Sequence, residues 1–434
     1  MNKQKLNIGL INLGCPKNTV DAECMLSYFN NFVLTNSPEK ADIIIINTCG
    51  FLKKARDESE KAIKDMLSIK QKNKKLKIIV TGCSVEKEKE KLIKKYRDVY
   101  AWVGVNDFTR IKKIIKKGGK FLRGNSFIYS AKDRKMLLNG ISAYVKIAEG
   151  CNKKCSFCLI PQIKGKFRSR KIGDIVKEIK VLIKSGVKEI NLISQDTSYF
   201  GVDIYKKKAL IDLIKKILKS IKKFFWLRIM YLYPDISIIN GLIDIMKKDK
   251  RVCRYFDIPL QHINDKILKS MKRGYNKKYV LKMLKIIKSK IPDAIIRSTF
   301  IVGYPKEGKK EFNELLDFVK MGLIDKVGVF KYSDEQGTEA YLLKGKNTKN
   351  IISKRNKILI IASKKICDYN NKKLINKVLK CLIVGQKSEK ILLCRTEGNA
   401  PDIDEYIEIE NVDGLKPGDF CEIKINRILN KKNI

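Results

Sequence analysis

Three short apolar runs near the start of the chain each end in a cysteine beside a glycine. They are Asn7-Ile-Gly-Leu-Ile-Asn-Leu-Gly-Cys15, Asp42-Ile-Ile-Ile-Ile-Asn-Thr-Cys49-Gly50 and Lys77-Ile-Ile-Val-Thr-Gly-Cys83. Cys15 and Cys49 are 34 residues apart, and so are Cys49 and Cys83. A strand–helix–strand unit takes roughly thirty residues, so this period predicts a repeated β/α unit. Lysine- and glutamate-rich stretches between the runs, such as Asp57 to Lys70, read as helices with exposed polar faces. Short β-branched strands alternating with helices predict a parallel sheet. In such sheets ligands gather beyond the carboxyl ends of the strands, so the three thiols are expected to converge on one edge. Unrelated buried cysteines are the bland alternative. That reading suits one cysteine after a strand better than three in register.

A second strand–helix series begins near residue 137. Its candidate strands are Tyr144–Gly150, Glu189–Asp196, Trp226–Pro234, Tyr255–His262, Ile295–Pro305 and Lys326–Ser333. Amphipathic, lysine-rich patterns such as Ile172–Ser185 and Lys208–Lys222 lie between them. Six such units predict a partial β/α barrel with its active site at the strands' C-terminal ends. Those ends carry Cys151, Gln195-Asp196, Tyr233-Pro234, Gln261-His262, Gly303-Tyr304-Pro305 and Tyr332-Ser333. A helical stretch from Lys349 to about Asn370 is expected to lead away from the barrel. After it, strand-like pieces such as Val378–Val384 and Lys390–Cys394 alternate with turns, including Leu415–Asp419, and predict a small all-β barrel.

Composition narrows the classes. The 434 residues, 44% hydrophobic and 32% charged, describe a soluble globular protein of two or three domains. No apolar run approaches the length that crosses a bilayer. Leu13-Gly14-Cys15 is not read as a lipoprotein cleavage site, because the preceding apolar stretch is short and broken by Asn12. Twelve cysteines in a chain expected to be cytoplasmic argue for metal or redox chemistry over disulfides. Cys24, Cys253, Cys367, Cys381, Cys394 and Cys421 fall outside motifs and read as small apolar residues. His262 is the only histidine, so any hydrolase triad would have to run through it and two-histidine zinc motifs are excluded. The net charge of +47 invites a nucleic-acid reading, but the lysines are spread along the chain with abundant isoleucine and asparagine, as a compositional bias would spread them. The charge reverses near the end, where Arg395 to Lys424 holds nine acidic residues and three basic ones.

The strongest chemical signal is Cys151-Asn-Lys-Lys-Cys155-Ser-Phe-Cys158 after the first strand of the second series. Three closely spaced thiolates can hold three irons of a cubane cluster and leave the fourth without a protein ligand. A structural zinc is the alternative, with His262 as the fourth ligand, but nothing near His262 supplies the second half of a finger. The Cys-x3-Cys-x2-Cys spacing with an aromatic before the last cysteine resembles the signature of the radical S-adenosylmethionine (SAM) enzymes.

Taken together, the features resemble the methylthiotransferases over essentially the whole length. The resemblance implies an α/β protein in three parts: an N-terminal parallel-sheet α/β domain at 1–122, a partial (β/α)6 radical SAM barrel at 137–368, and a small C-terminal all-β, TRAM-like barrel at 370–434. It implies two 4Fe-4S clusters and SAM, with Cys15, Cys49 and Cys83 on an auxiliary cluster and Cys151, Cys155 and Cys158 on the radical SAM cluster. One SAM would methylate a sulfur held at the auxiliary site. A second would give the radical that removes hydrogen from the target carbon. Phe157 is expected beside the adenine, Gln195 and Arg297 are expected to hydrogen-bond SAM, and His262 to touch SAM or substrate. A strand-end cap for Gln195 and a structural role for His262 are the alternatives.

Within the family, Leu13-Gly-Cys-Pro-Lys-Asn18, Gln195-Asp196-Thr197, Pro259-Leu-Gln-His262 and Ala400-Pro-Asp-Ile-Asp404 are similar to the branch that modifies the β-carbon of an aspartate in small-subunit ribosomal protein S-twelve. The implied partners are that protein or the small subunit, a reductant such as flavodoxin or ferredoxin, and a sulfur donor, with no membrane. An acidic C-terminal barrel repels phosphates and suits a basic protein, although the carboxylates could equally just solubilise it. The rival readings are methylthiolation of a tRNA adenosine beside the anticodon and a non-catalytic iron–sulfur RNA-binding protein. Three positions depart from the family pattern: Lys306-Glu307-Gly308 stands for Gly-Glu-Thr, Lys171 for proline and Glu405 for glycine.

Overall fold

The computed structural model describes residues 5–29, 31–50, 52–122, 128–134, 140–411 and 414–428. The chain divides into two compact units. One comprises Met1–Asn139, Lys146–Glu178 and Glu335–Thr338; the other comprises Gly140–Val145, Ile179–Asp334 and Glu339–Ile434.

In the first unit, β1 (Leu6–Asn12), α1 (Pro16–Ser27), β2 (Phe32–Leu34), β3 (Ile43–Thr48), α2 (Lys53–Lys72), β4 (Lys77–Gly82), α3 (Cys83–Lys95), β5 (Ala101–Val103), α4 (Ile111–Lys117) and β6 (Gly119–Phe121) follow in order. The six strands form one parallel sheet, ordered β2-β1-β3-β4-β5-β6. Every residue of β3 is buried, which is why it reads as an unbroken apolar run. Helix α2 is amphipathic: Ser59, Ile63 and Met66 form its buried face, and lysines and carboxylates occupy much of the rest. Ile63 and Met66 share one apolar cluster with Ile44, Ile46, Ile78 and Val80 of the sheet and Val85 and Leu92 of α3. Past β7 (Ser142–Lys146), the unit continues with β8 (Ala148–Glu149), α5 (Ile160–Lys164) and β9 (Arg168–Ser169), β8 and β9 pairing antiparallel.

Helix α6 (Ile172–Lys184) passes from the first unit into the second at Ile179 and leads into β10 (Glu189–Ile193), α7 (Val202–Tyr205), α8 (Leu210–Ser220), β11 (Trp226–Ile229) and α9 (Ile236–Lys248). Then come β12 (Tyr255–Asp257), α10 (Asp265–Ser270), α11 (Lys277–Lys290), β13 (Ile295–Val302), α12 (Lys309–Lys320) and β14 (Lys326–Lys331). The strands lie in two sheets, β7-β10-β11 and β12-β13-β14, joined by a single bridge between Leu227 and Val252. This is the expected open barrel of six strands.

Helix α13 (Lys349–Lys372) corrects one expectation. It does not lead away but packs back along β14. Asn356 donates to the Val329 carbonyl and Ser363 to the Val327 carbonyl, each at 3.4 Å. These bonds cover carbonyls of β14, the strand at the edge of its sheet, which would otherwise be exposed. The chain ends in β15 (Val378–Ser388), β16 (Ile391–Thr396), β17 (Ile407–Glu410) and β18 (Phe420–Lys424), an antiparallel sheet ordered β17-β16-β15-β18 around Cys381, Ile383, Leu392 and Cys394.

The segment between β16 and β17 closes the start of the barrel strands. Arg395 pairs with Glu189, the first residue of β10, and donates to Ser142 Oγ at 2.7 Å. Arg228 reaches Glu189 at 2.9 Å and the Glu397 carbonyl at 2.6 Å. Tyr144 donates to Asp402 at 2.9 Å and Tyr255 to Asp404 at 2.8 Å. The Ala400–Asp404 motif is thus bonded into the barrel floor. Of the nine acidic residues counted in this region, Glu397, Asp402 and Asp404 are used internally, Glu405, Glu410 and Glu422 are exposed, and Asp413 lies outside the described residues.

Candidate active site

Strand register brings the first three cysteines toward one edge. Asn12, Asn47 and Thr81 are direct neighbours across β1, β3 and β4, and Cys15, Cys49 and Cys83 follow them by two or three residues. The strand order reverses between β1 and β3, the place where open parallel sheets bind ligands, and Cys15 and Cys49 flank it. Cys15 is the N-cap of α1 and Cys83 opens α3, so two of the three sulfurs stand at the positive ends of helices. A Cβ on Gly14 would lie 3.1 Å from Cys49 Sγ, and one on Gly50 would lie 2.5 Å from the Cys83 carbonyl, so the three loops pack backbone against backbone. Removal from water pushes the Cys83 thiol up to about 12; Lys164 opposes this shift and the nearby Cys15 and Cys49 add to it. A metal taking Cys83 as a thiolate must displace that proton.

A polar network holds these loops. Asn18, almost fully buried, donates to the Leu13 carbonyl at 2.7 Å and the Thr48 carbonyl at 3.2 Å. Asn47 donates to the Asn18 carbonyl at 2.8 Å and to Asn12 Oδ1 at 2.9 Å. Thr48 Oγ1 donates to the Thr81 carbonyl at 2.6 Å, and the Cys49 amide donates to Ser59 Oγ at 3.2 Å. Sequence reasoning assigned none of these residues a role, although Asn18 closes the quoted Leu13–Asn18 motif.

The second cysteine set sits on a loop closed by its own backbone. The Cys151 amide donates to the Gly165 carbonyl at 3.2 Å, Cys158 to the Cys155 carbonyl at 3.1 Å, and the Phe167 amide to Asn152 Oδ1 at 2.9 Å. Gly150 has φ +81°, and a Cβ there would lie 2.3 Å from the Lys166 carbonyl, so only glycine lets the loop leave β8. Two amides point at sulfur: Lys153 N–H at Cys151 Sγ (3.4 Å) and Ile160 N–H at Cys158 Sγ (3.5 Å). Such donors stabilise thiolate charge, and this donor set fits an iron–sulfur cluster. Among the described residues, no three His, Cys, Asp or Glu side chains form a group that holds a single metal ion.

The remaining predicted residues separate. Phe157 lies half-buried on the cysteine loop. Gln195 lies half-buried just beyond β10. His262 is fully buried; its Nδ1 accepts from the Asn264 amide at 3.0 Å, and its Nε2 lies 3.3 Å from Glu307 Oε2. Nδ1 is thus engaged, whereas Nε2 and the facing Glu307 Oε2 are buried with no hydrogen-bond partner among the described residues. Glu307 also takes Arg355 at 2.7 Å and the Gly303 amide at 3.0 Å, so the departing Lys306-Glu307-Gly308 turn is anchored. Arg297 is the third residue of β13, five residues and about 16 Å before the strand's C-terminal end. Its guanidinium donates to Asp257 at 3.1 Å and lies 3.9 Å from Asp404.

Three family models match the chain: the Radical SAM superfamily over residues 145–319, Uncharacterized protein family UPF0004 over 7–104, and the TRAM domain over 375–430. A radical SAM methyltransferase, TsrM from Kitasatospora setae, has a similar fold, with TM-score 0.55 and 11% identity over 76% of this chain and 75% of that one. Fold and site together define a radical SAM enzyme. Two curated proteins, each named ribosomal protein uS12 methylthiotransferase RimO, match nearly end to end. The one from Clostridioides difficile is 39% identical, covering 97% of this chain and 96% of its own. The one from Thermoanaerobacter sp. is 40% identical, covering 95% and 96%. The chain belongs to the uS12 methylthiotransferase (RimO) family.

Proposed function

We propose that this chain transfers a methylthio group to the β-carbon of an aspartate in ribosomal protein uS12, using two 4Fe-4S clusters and SAM. The observation that carries the reading is near-full-length identity of about two in five residues with proteins of that name. When bound, the two clusters supply one-electron reduction of SAM and an iron site for the sulfur to be transferred.

The chain's residues bind and orient these groups. Cys151, Cys155 and Cys158 would hold the SAM-binding cluster, the Lys153 and Ile160 amides easing the charge on two of the sulfurs. Cys15, Cys49 and Cys83 would hold the auxiliary cluster, kept in register by Asn18, Asn47 and Thr48. Phe157, Gln195, Arg297 and His262 are the candidate SAM contacts. Exposed Glu405, Glu410 and Glu422 give a basic protein substrate an acidic surface to meet. Electrons come from a small reductant of the flavodoxin or ferredoxin kind and sulfur from a separate donor. Among the described residues no helix is long and apolar enough to cross a membrane. A ribosomal substrate supports a cytoplasmic reaction.

The test is an anaerobic reaction of reconstituted chain with SAM, dithionite, uS12 and tRNA, read by mass spectrometry. A methylthio increment on one uS12 aspartate is expected. An increment on a tRNA adenosine with uS12 untouched overturns the substrate reading and keeps the chemistry. No SAM cleavage at all favours a non-catalytic iron–sulfur protein. Neutralising Glu405, Glu410 and Glu422 together should slow uS12 capture, most clearly at low salt.

A further inference from the structure

We propose that a buried ionic ring of Asp21, Lys146, Glu149 and Lys164 fastens the loop of Cys151, Cys155 and Cys158 to the helix that starts at Cys15, giving the two cysteine sets one fixed separation. The proposal rests on reading both sets as cluster ligands. Its basis is the placement of the four residues. Asp21 projects from α1, six residues after Cys15. Glu149 stands two residues before Cys151, and Lys164 ends α5, six residues after Cys158, so the ring grips both flanks of that loop. Lys146, the last residue of β7, completes it.

The contacts alternate in charge. Lys146 Nζ binds Asp21 Oδ1 and lies 2.5 Å from Glu149 Oε2. Lys164 Nζ lies 3.1 Å from Asp21 Oδ2 and 3.7 Å from Glu149 Oε2. The side chains are 4%, 5%, 5% and 8% exposed for Lys146, Lys164, Glu149 and Asp21. Apolar residues of similar volume would fill this space without the desolvation penalty of four charges. What they would lack is a directional tie and a defined field. That field reaches the strand-end site: Lys164 favours charge on Cys83 and Asp21 opposes it. In the proposed reaction both cysteine sets serve one target carbon, so their separation is part of the catalytic geometry. These are positioning residues.

The test uses the full chain reconstituted anaerobically, with Asp21→Asn and Lys164→Met as single variants. Two quantities are read by EPR: the midpoint potential of the auxiliary cluster and the dipolar coupling between the two reduced clusters. Removing the carboxylate should raise the potential and removing the ammonium should lower it, while both broaden the distribution of couplings. The double variant restores neutrality, so its potential should return toward that of the unmodified chain while its distribution stays broad. Shifts of the same sign in both single variants, or an unbroadened distribution in all three, overturn the proposal. If the single variants fail to fold, the neutral double variant and the milder Glu149→Gln carry the same comparison. Iron content of the unmodified chain is measured alongside. One cluster's worth of iron overturns the two-cluster reading and the proposal with it. Two clusters' worth with unresponsive couplings overturns the ring alone.

Discussion

The two cysteine sites are built in opposite ways. The loop of Cys151, Cys155 and Cys158 is closed by bonds that reach at most fifteen residues along the chain, such as Phe167 to Asn152. The site of Cys15, Cys49 and Cys83 is held by bonds that span 29 to 33 residues, as in Asn47 to Asn18, Asn18 to Thr48, and Thr48 to Thr81. The first is closed within its own turn of chain, and its long-range tie is the ionic ring at its flanks. The second exists only once the parallel sheet has set its register. A local site should therefore tolerate damage to the sheet, and a register-built site should not.

The largest effects should come from the cysteines. Cys155→Ala should remove both SAM cleavage and methylthio product, whereas Cys83→Ala should keep SAM cleavage and lose the product; both are read by chromatography and mass spectrometry. Loss of cleavage in both would mean that the sites do not divide the work. Next, Arg395→Met, remote in sequence from the six motif cysteines, should cost about 1.5–3 kcal/mol in chemical denaturation by leaving buried Glu189 with Arg228 as its one cation. It should leave the iron content of both sites unchanged.

Glu189 also sets an acid limit. Burial opposes its ionisation, but Arg228 and Arg395 outweigh this and hold its carboxyl below the usual range. Its folded value lies below the unfolded value of about 4.3, so its contribution to stability is present above that pH. The contribution is lost as pH falls through the folded value. Unfolding midpoints measured from pH 6 downward should fall less steeply in Arg395→Met.

A reciprocal pair sharpens the contrast between the sites. Thr48→Val removes a buried bond between neighbouring strands and should cost about 1–3 kcal/mol, lowering iron at the strand-end site only. Gly150→Ala forces a Cβ against the Lys166 carbonyl and should lower iron at the loop site only, by a comparable free energy. Iron loss from both sites in either variant would show that they are not separable. The smallest effect concerns a turn between β13 and α12. Lys306 adopts φ +67°, where a side chain is strained, so Lys306→Gly should stabilise by up to about 1 kcal/mol in thermal unfolding.

Much of this was legible in the residues. The Cys-x3-Cys-x2-Cys array is a local pattern, and the 34-residue period exposed the strand-end cysteines because each β/α unit repeats the same length. The six barrel strands announced themselves as apolar runs with polar ends. The partners of Arg297 were not legible, because an apolar run shows that a strand exists but not which carboxylates the fold brings beside its charged residues. The long helix after Thr348 was misjudged, since its partners are carbonyls of β14, which carry no side-chain signal.

The sequence by itself determined the element order, the two cysteine sets and the family, because spacing, periodicity and motif are properties of neighbouring residues. Only the tertiary structure decided what Asn18, Thr48 and the Ala400–Asp404 segment do, and that Asp21, Lys146, Glu149 and Lys164 meet. Those roles depend on which strands lie side by side and on charges brought from positions 21 to 164 into one buried place. A buried charge is tolerated only with its partner, and the partner is chosen by the fold.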